Sequence, residues 1–287
     1  MEVGGGELLD VYLGLLEGST GGTNFQLLDG TILTALETLG GPELVSAFES
    51  LVGTTARTAD YVTNQANSAS QVSTLAATAN SVANVSATAA SIGNSYALDA
   101  AANVVADLGQ VNEGTGTSTV ATVYSAVSDV TETAASIGNS GSFNADGALL
   151  DVAVDQNNLG NQTAALLTVQ NMVAEATSTA ASIGNSLSVE MPGGSKITAT
   201  QNNAGTMIAD LTGTIASTVD YTATAAAIGN SYALTSLDSG LAGNVSSSLN
   251  QWNGAGQIAK VTANIAASTN AAATAAAIGN SVSINVK

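Results

Sequence analysis

The chain has 287 residues with no Cys and no His, four basic side chains against 22 acidic ones, and a net charge of -18. Zinc sites built on Cys or His, thiol or imidazole nucleophile–base pairs and disulfides are therefore ruled out. The cations Arg57, Lys196, Lys260 and Lys287 lie far apart in sequence, so no Lys/Arg cluster exists to displace counterions from nucleic acid.

Aromatic residues make up only 3 % of the chain, and Ala, Ser, Thr, Asn and Gly dominate it. Such a composition cannot build a core of large side chains throughout. A hydrophobic fraction of 45 % and only two prolines nevertheless oppose disorder. Small residues combined with order point to layers pressed close together and held by backbone hydrogen bonds. No stretch approaches the roughly 20 apolar residues that span a bilayer. The opening "MEVGGGELLD" carries neither the cationic nor the apolar region of a secretory signal. Either the chain never leaves by that route, or the sequence begins after such a leader was removed, the reading its extracellular-looking composition favours.

Residues 1–57 differ from the rest. "ELLDVYLGLLEG" and "NFQLLDGTILTALETLGGPELVSAFESLVG" space Leu, Ile and Phe by three and four residues, which predicts amphipathic helices. Pro42 suits the first turn of a helix, and Glu43 suits the positive end of its dipole. The expectation is a small helical cap or oligomerisation segment.

From residue 58 to 287 the chain repeats itself. "IGNS" occurs five times, with Ile92, Ile137, Ile183, Ile228 and Ile278 separated by 45, 46, 45 and 50 residues. A second motif, Gln-x-Asn, precedes each copy: Gln65/Asn67, Gln110/Asn112, Gln156/Asn158, Gln201/Asn203 and Gln251/Asn253. The offset from each Gln to the next motif's Ile is 27 in all five copies, so insertions fall only between an IGNS and the following Gln.

Both motifs alternate with a period of two, the signature of strands. Thr222, Thr224, Ala226, Ile228, Asn230, Tyr232 and Leu234 fall on one face, which their Ile, Tyr and Leu predict to be the inner one. Ala223, Ala225, Ala227, Gly229 and Ser231 fall on the other. Around the Gln motif, Ile197, Ala199, Gln201, Asn203 and Gly205 share a face, as do Val152, Val154, Gln156, Asn158 and Gly160. Amides on an inner face are costly unless paired. Copies stacked at about 4.8 Å would bond each amide to the one above and below. The predicted structural ladder therefore comprises the five Gln-x-Asn pairs together with Ile92/Asn94, Ile137/Asn139, Ile183/Asn185, Ile228/Asn230 and Ile278/Asn280. Ala-rich helices are the competing reading; alternate Thr and Ile and the five Gly-Asn pairs oppose it. The fold class expected is all-β, a β-solenoid (β-helix) of five repeats of about 45 residues with an N-terminal α-helical cap. Each repeat could be one wide rung of several strands or two stacked half-rungs, and the spacing does not choose.

Inward Gln, Asn, Gly and Ala, as in "TATQNNAGTMIA", resemble the curli-type repeat Gln-x-Gly-x-Asn-x-Ala, although Asn stands here where that repeat has its first Gly. With "AIGNS", the pattern also resembles the holdfast-anchoring, curli-like surface proteins of stalked bacteria. A weaker similarity is to trimeric autotransporter adhesin heads, which share an "AIG" core. These resemblances cover residues 58–287 and imply a secreted, non-enzymatic subunit of a surface fibre or adhesive anchor, without cofactor.

Competing functions need other residues. Asp151/Asp155 and Asp99/Asp107 could form a glycosidase-type pair, as in a phage tail fibre or tailspike, but neither pair recurs from repeat to repeat. No D-x-D-x-D-G calcium loop is present. Thr131/Thr133, Thr177/Thr179 and Thr222/Thr224 suggest an ice-binding array, although their shared parity with Ile predicts burial. Trp252, on the face opposite the amides, is the contact candidate for a partner or a polysaccharide. The last residues, "AIGNSVSINVK", still alternate. The expectation is a C-terminal edge that pairs with another subunit or an anchor, with Lys287 its one gatekeeper.

Overall fold

The computed structural model describes residues 58–145, 147–237 and 245–286, and in these it is all-β. The helices expected within residues 1–57, and Lys287, lie outside the described residues. Five layers follow one another along the chain. The first holds β1 (Thr58–Asn67), β2 (Gln71–Asn80) and β3 (Asn84–Ala100); the second holds β4 (Asn103–Asn112) and β5 (Gly116–Ala145). The third holds β6 (Leu150–Asn158) and β7 (Gln162–Pro192). The fourth holds β8 (Lys196–Asn203), β9 (Met207–Ile215) and β10 (Thr218–Leu237), and the fifth β11 (Ser246–Asn253), β12 (Gln257–Ile265) and β13 (Ser268–Val286).

All the pairing is parallel and in register with the repeat. One sheet runs β1-β4-β6-β8-β11; the other stacks β2, β5, β7, β9 and β12, and continues through the long β5 and β7 to β3, β10 and β13. Gln65 pairs with Gln110, Gln156 with Gln201 and Gln201 with Gln251, while Ile92, Ile137, Ile183, Ile228 and Ile278 follow one another across the second sheet. Each repeat is therefore one wide layer rather than two half-layers. At the usual strand spacing five such layers rise about 24 Å.

The interior has two apolar parts. One lies between the β2/β12-type strands and the first half of the β3/β13-type strands, around Val120, Tyr124, Leu166, Leu211 and Tyr221. The other lies between the first sheet and the second half of those strands, around Leu108, Phe143, Leu187, Ile197 and Tyr232. A left-handed residue turns the chain between the halves of the second sheet: Ser81, Ala126 and Met172 have φ of 59°, 54° and 55°.

One expectation about the faces is reversed. Asn230, Tyr232 and Leu234 are buried, but Thr222, Thr224, Ala226 and Ile228 point outward, while Ala223, Ala225 and Ala227 are fully buried. The alternation slips by one at Gly229-Asn230, two consecutive buried residues, so the inner face changes parity there. The same slip occurs at Gly138-Asn139 and Gly184-Asn185. The IGNS isoleucines thus stack as a column on the outer face, with Ile92 43 % and Ile278 36 % exposed. The slip needs glycine, because a Cβ on Gly184 would run into the side chain of Asn203 and stand 2.5 Å from the carbonyl oxygen of Gly229.

Candidate functional site

Between the two apolar parts runs a seam of amides. Gln110 Nε2 donates to Gln65 Oε1 at 2.7 Å, Gln156 to Gln110 at 2.8 Å, Gln201 to Gln156 at 2.8 Å and Gln251 to Gln201 at 2.7 Å. Each Gln Nε2 also donates to the carbonyl of the IGNS serine in its own layer, those of Ser95, Ser140, Ser186, Ser231 and Ser281. That bond closes each layer across its waist, which accounts for the invariant offset of 27 residues between the motifs. Lengthening the segment between them would pull a buried amide from its acceptor.

Two asparagine columns run beside the glutamines with the opposite polarity. Asn67 Nδ2 donates to Asn112, Asn112 to Asn158, Asn158 to Asn203 and Asn203 to Asn253, at 2.6–2.8 Å. Asn94 donates likewise to Asn139, Asn139 to Asn185, Asn185 to Asn230 and Asn230 to Asn280. Asn94, Asn185 and Asn230 also donate to the carbonyls of Val111, Asn202 and Trp252, tying the first, third and fourth layers to the next. Nearly every hydrogen-bonding group of these buried amides is used, as a dry interior requires.

The two ends of the stack differ from its middle. β11, β12 and β13 each pair on one side only, and among the described residues nothing covers the other side. The inner columns emerge there: Tyr232 and Leu234 are 1 % and 4 % exposed, but their successors Val282 and Ile284 are 52 % and 58 % exposed. At the opposite end β1, β2 and β3 likewise pair on one side only among the described residues.

Outside, Thr88, Thr133, Thr179, Thr224 and Thr274 form a continuous column, flanked by Ser86, Thr131, Thr177, Thr222 and Ala272. Trp252 is 55 % exposed, with its ring over Gly254. Asp99, Asp107, Asp151 and Asp155 all face outward, and Asp151 meets Lys196 at 3.6 Å with both side chains more than half exposed. A pair so exposed contributes about 0–1 kcal/mol.

Residues 124–287 match the holdfast attachment protein D family, and the match spans more than half of the chain. The chain belongs to that family. No curated protein and no solved structure matches it significantly. The holdfast family's name describes attachment, a cell-surface adhesive role, and it speaks to the holdfast likeness rather than to the curli-type or autotransporter ones. Among the described residues of this family member, no helix is long and apolar enough to cross a membrane.

One buried group was missed by the sequence reading. Glu132 is completely buried, and Thr122 Oγ1 donates to its Oε1, Ser178 Oγ to Oε2 at 2.8 Å and Gln170 Nε2 to Oε2 at 3.5 Å. Burial raises its pKa, against the opposing pull of these hydrogen bonds. The phenol of Tyr124 is pushed up to about 12 by burial and by the charge of Glu132. Because folded Glu132 holds its proton above the pH at which the unfolded chain releases it, its contribution is complete below the ordinary carboxyl pKa of 4.5 and is lost as pH rises through the window above that value. Chemical denaturation as a function of pH should therefore show stability falling through that window, and Glu132→Gln should flatten the fall. An unchanged slope in the variant would remove Glu132 as its source.

Proposed function

We propose that this protein is a non-enzymatic structural subunit of a cell-surface adhesive anchor, a β-solenoid whose laddered Asn and Gln columns continue from one subunit into the next. The observation that carries the reading is the last layer, where apolar columns buried in every inner layer emerge half exposed beside strand edges that no described residue pairs. Such an edge is a template for another strand. Column polarity supports head-to-tail stacking. The Gln column points its donors toward the first layer and the Asn columns point theirs toward the last. Each end thus offers the groups that the other would meet. Within this reading residues 1–57 cap or regulate the first end, and a fibre or anchor partner can take the place of a second copy at the last. The location is extracellular or on the cell surface, and Trp252 offers a contact for polysaccharide.

Sedimentation of the full chain at micromolar concentration tests this. Wild type should form concentration-dependent oligomers. Removal of residues 278–287, or the single change Ile284→Lys, which puts a charge on the open end, should leave it monomeric. A wild-type chain that stays monomeric at every concentration would contradict self-association.

The outward Thr columns favour a second reading. They remove the parity objection to ice binding, although only three layers carry both threonines. Measurable thermal hysteresis would support that reading, and its absence would dismiss it.

A further inference from the structure

In a repeat protein the departures from the repeat carry information that the repeat does not. In the columns around Glu132, three positions depart together. The Glu132 column otherwise reads Ala87, Ser178, Ala223 and Ala273. The Thr122 column contains Ala77, Thr168, Gly213 and Ala263, and the Gln170 column Ala79, Tyr124, Ile215 and Ile265. A carboxyl, a hydroxyl and a primary amide thus converge between the second and third layers, where the outer layers carry small or apolar residues. All three are at most 3 % exposed.

Their arrangement places a hydroxyl and a primary amide on one buried carboxylate. Thr122 Oγ1 donates to one oxygen of Glu132, and Gln170 Nε2 lies 3.5 Å from the other. Thr122 Oγ1 and Gln170 Nε2 are each 3.2 Å from the hydroxyl of Thr168, which stands between them. One carboxylate therefore bridges a nucleophile and a leaving group, the placement a proton carrier needs. Three buried polar atoms nearby have no hydrogen-bond partner: Gln170 Oε1 and the phenol oxygens of Tyr124 and Tyr221. Tyr124 is the register neighbour of Gln170, and Gly213, the neighbour of Thr168, leaves room for the Tyr221 hydroxyl.

We propose that Thr122 and Gln170 become joined by an ester bond that welds the second layer to the third. Thr122 Oγ1 attacks Gln170 Cδ while its proton passes to Glu132. The Cδ–Nε2 bond breaks, Glu132 returns the proton to the departing nitrogen, and ammonia leaves. Nothing is oxidised or reduced, and Glu132 ends as it began. Ammonia becomes protonated in water and diffuses away, which draws the reaction forward, and the dry pocket keeps water from the ester. A covalent tie between layers suits a protein that bears load, but the chemistry holds whether or not subunits stack.

Intact mass spectrometry of the full chain under denaturing conditions tests the bond. Wild type should be about 17 Da lighter than its sequence, the loss of one ammonia. Proteolysis should yield one branched peptide joining the segments around Thr122 and Gln170. Thr122→Val, Glu132→Gln and Gln170→Glu should each restore full mass, while circular dichroism shows that β structure is retained. Thr122→Ser should keep the loss. A folded wild-type chain of full mass would overturn the proposal, as would a loss that persists in Thr122→Val, which would place it on another hydroxyl, such as Thr168, or at another amide.

Discussion

Gly184→Ala is expected to destabilise the stack by about 3 kcal/mol, at the upper end of what overpacking costs. The added Cβ would stand 2.5 Å from the carbonyl oxygen of Gly229 and 2.7 Å from Asn203 Cγ. The first is backbone of the next layer and cannot turn aside. The second belongs to a side chain that donates to Asn253 and accepts from Asn158, so moving it breaks the seam over three layers. The midpoint of urea denaturation of the full chain reads this directly. A shift equivalent to less than about 0.5 kcal/mol, the range of ordinary surface changes, would show that the slip in the strand does not depend on glycine.

Asn185→Leu should cost as much or more, although it replaces a polar residue with an apolar one of similar size in a buried place. Asn185 accepts from Asn139 and donates to Asn230 and to the carbonyl of Asn202. Leucine would orphan a donor and two acceptors, each worth about 1–3 kcal/mol when left unpaired in a dry interior. The expected total is about 3–9 kcal/mol, with partial unfolding at room temperature. Ser188→Ala, three residues along on an exposed position of the same strand, should change stability by less than about 0.5 kcal/mol. If the two variants unfold at the same urea concentration, the amide column is not what holds the layers in register.

The contrast between these residues also shows what could be read from the letters alone. Gln201 and Asn203 share their face with Ile197 and Ala199, and all four are buried; alternation is a local property, so their sequence carries it. The IGNS copies misled because a strand can change its inner face where two consecutive residues turn inward. Nothing in the alternation of Thr222 to Leu234 marks the slip except the glycine, and a glycine in a strand has several meanings. The width of each layer was undecided for a related reason. The 45-residue spacing fixes which residues recur, while the pairing of β4 with β6 rather than with part of β5 depends on contacts far apart in the chain.

Glu132 was overlooked because carboxylates were sought where they recur. Its signal lay in the reverse. Aligned with the other copies, Glu132 and Ser178 occupy a position that is alanine in the remaining three. An acidic residue between Val130 and Ala134, both buried, breaks an inner face. Such breaks have a cost, and in a protein built from copies they deserve a chemical explanation before a structural one.

The layers stack one repeat apart, and the chain's lack of cysteine makes that simple to test. Thr131 and Thr177 are exposed, and each is the other's register neighbour on β5 and β7. Ala153 is exposed on β6, in the other sheet. A Thr131→Cys, Thr177→Cys variant should close an intramolecular disulfide rapidly under mild oxidant, and a Thr131→Cys, Ala153→Cys variant should not. Rapid closure of the second pair with failure of the first would mean half-repeats stacked on one another, and the layered architecture described above would be wrong.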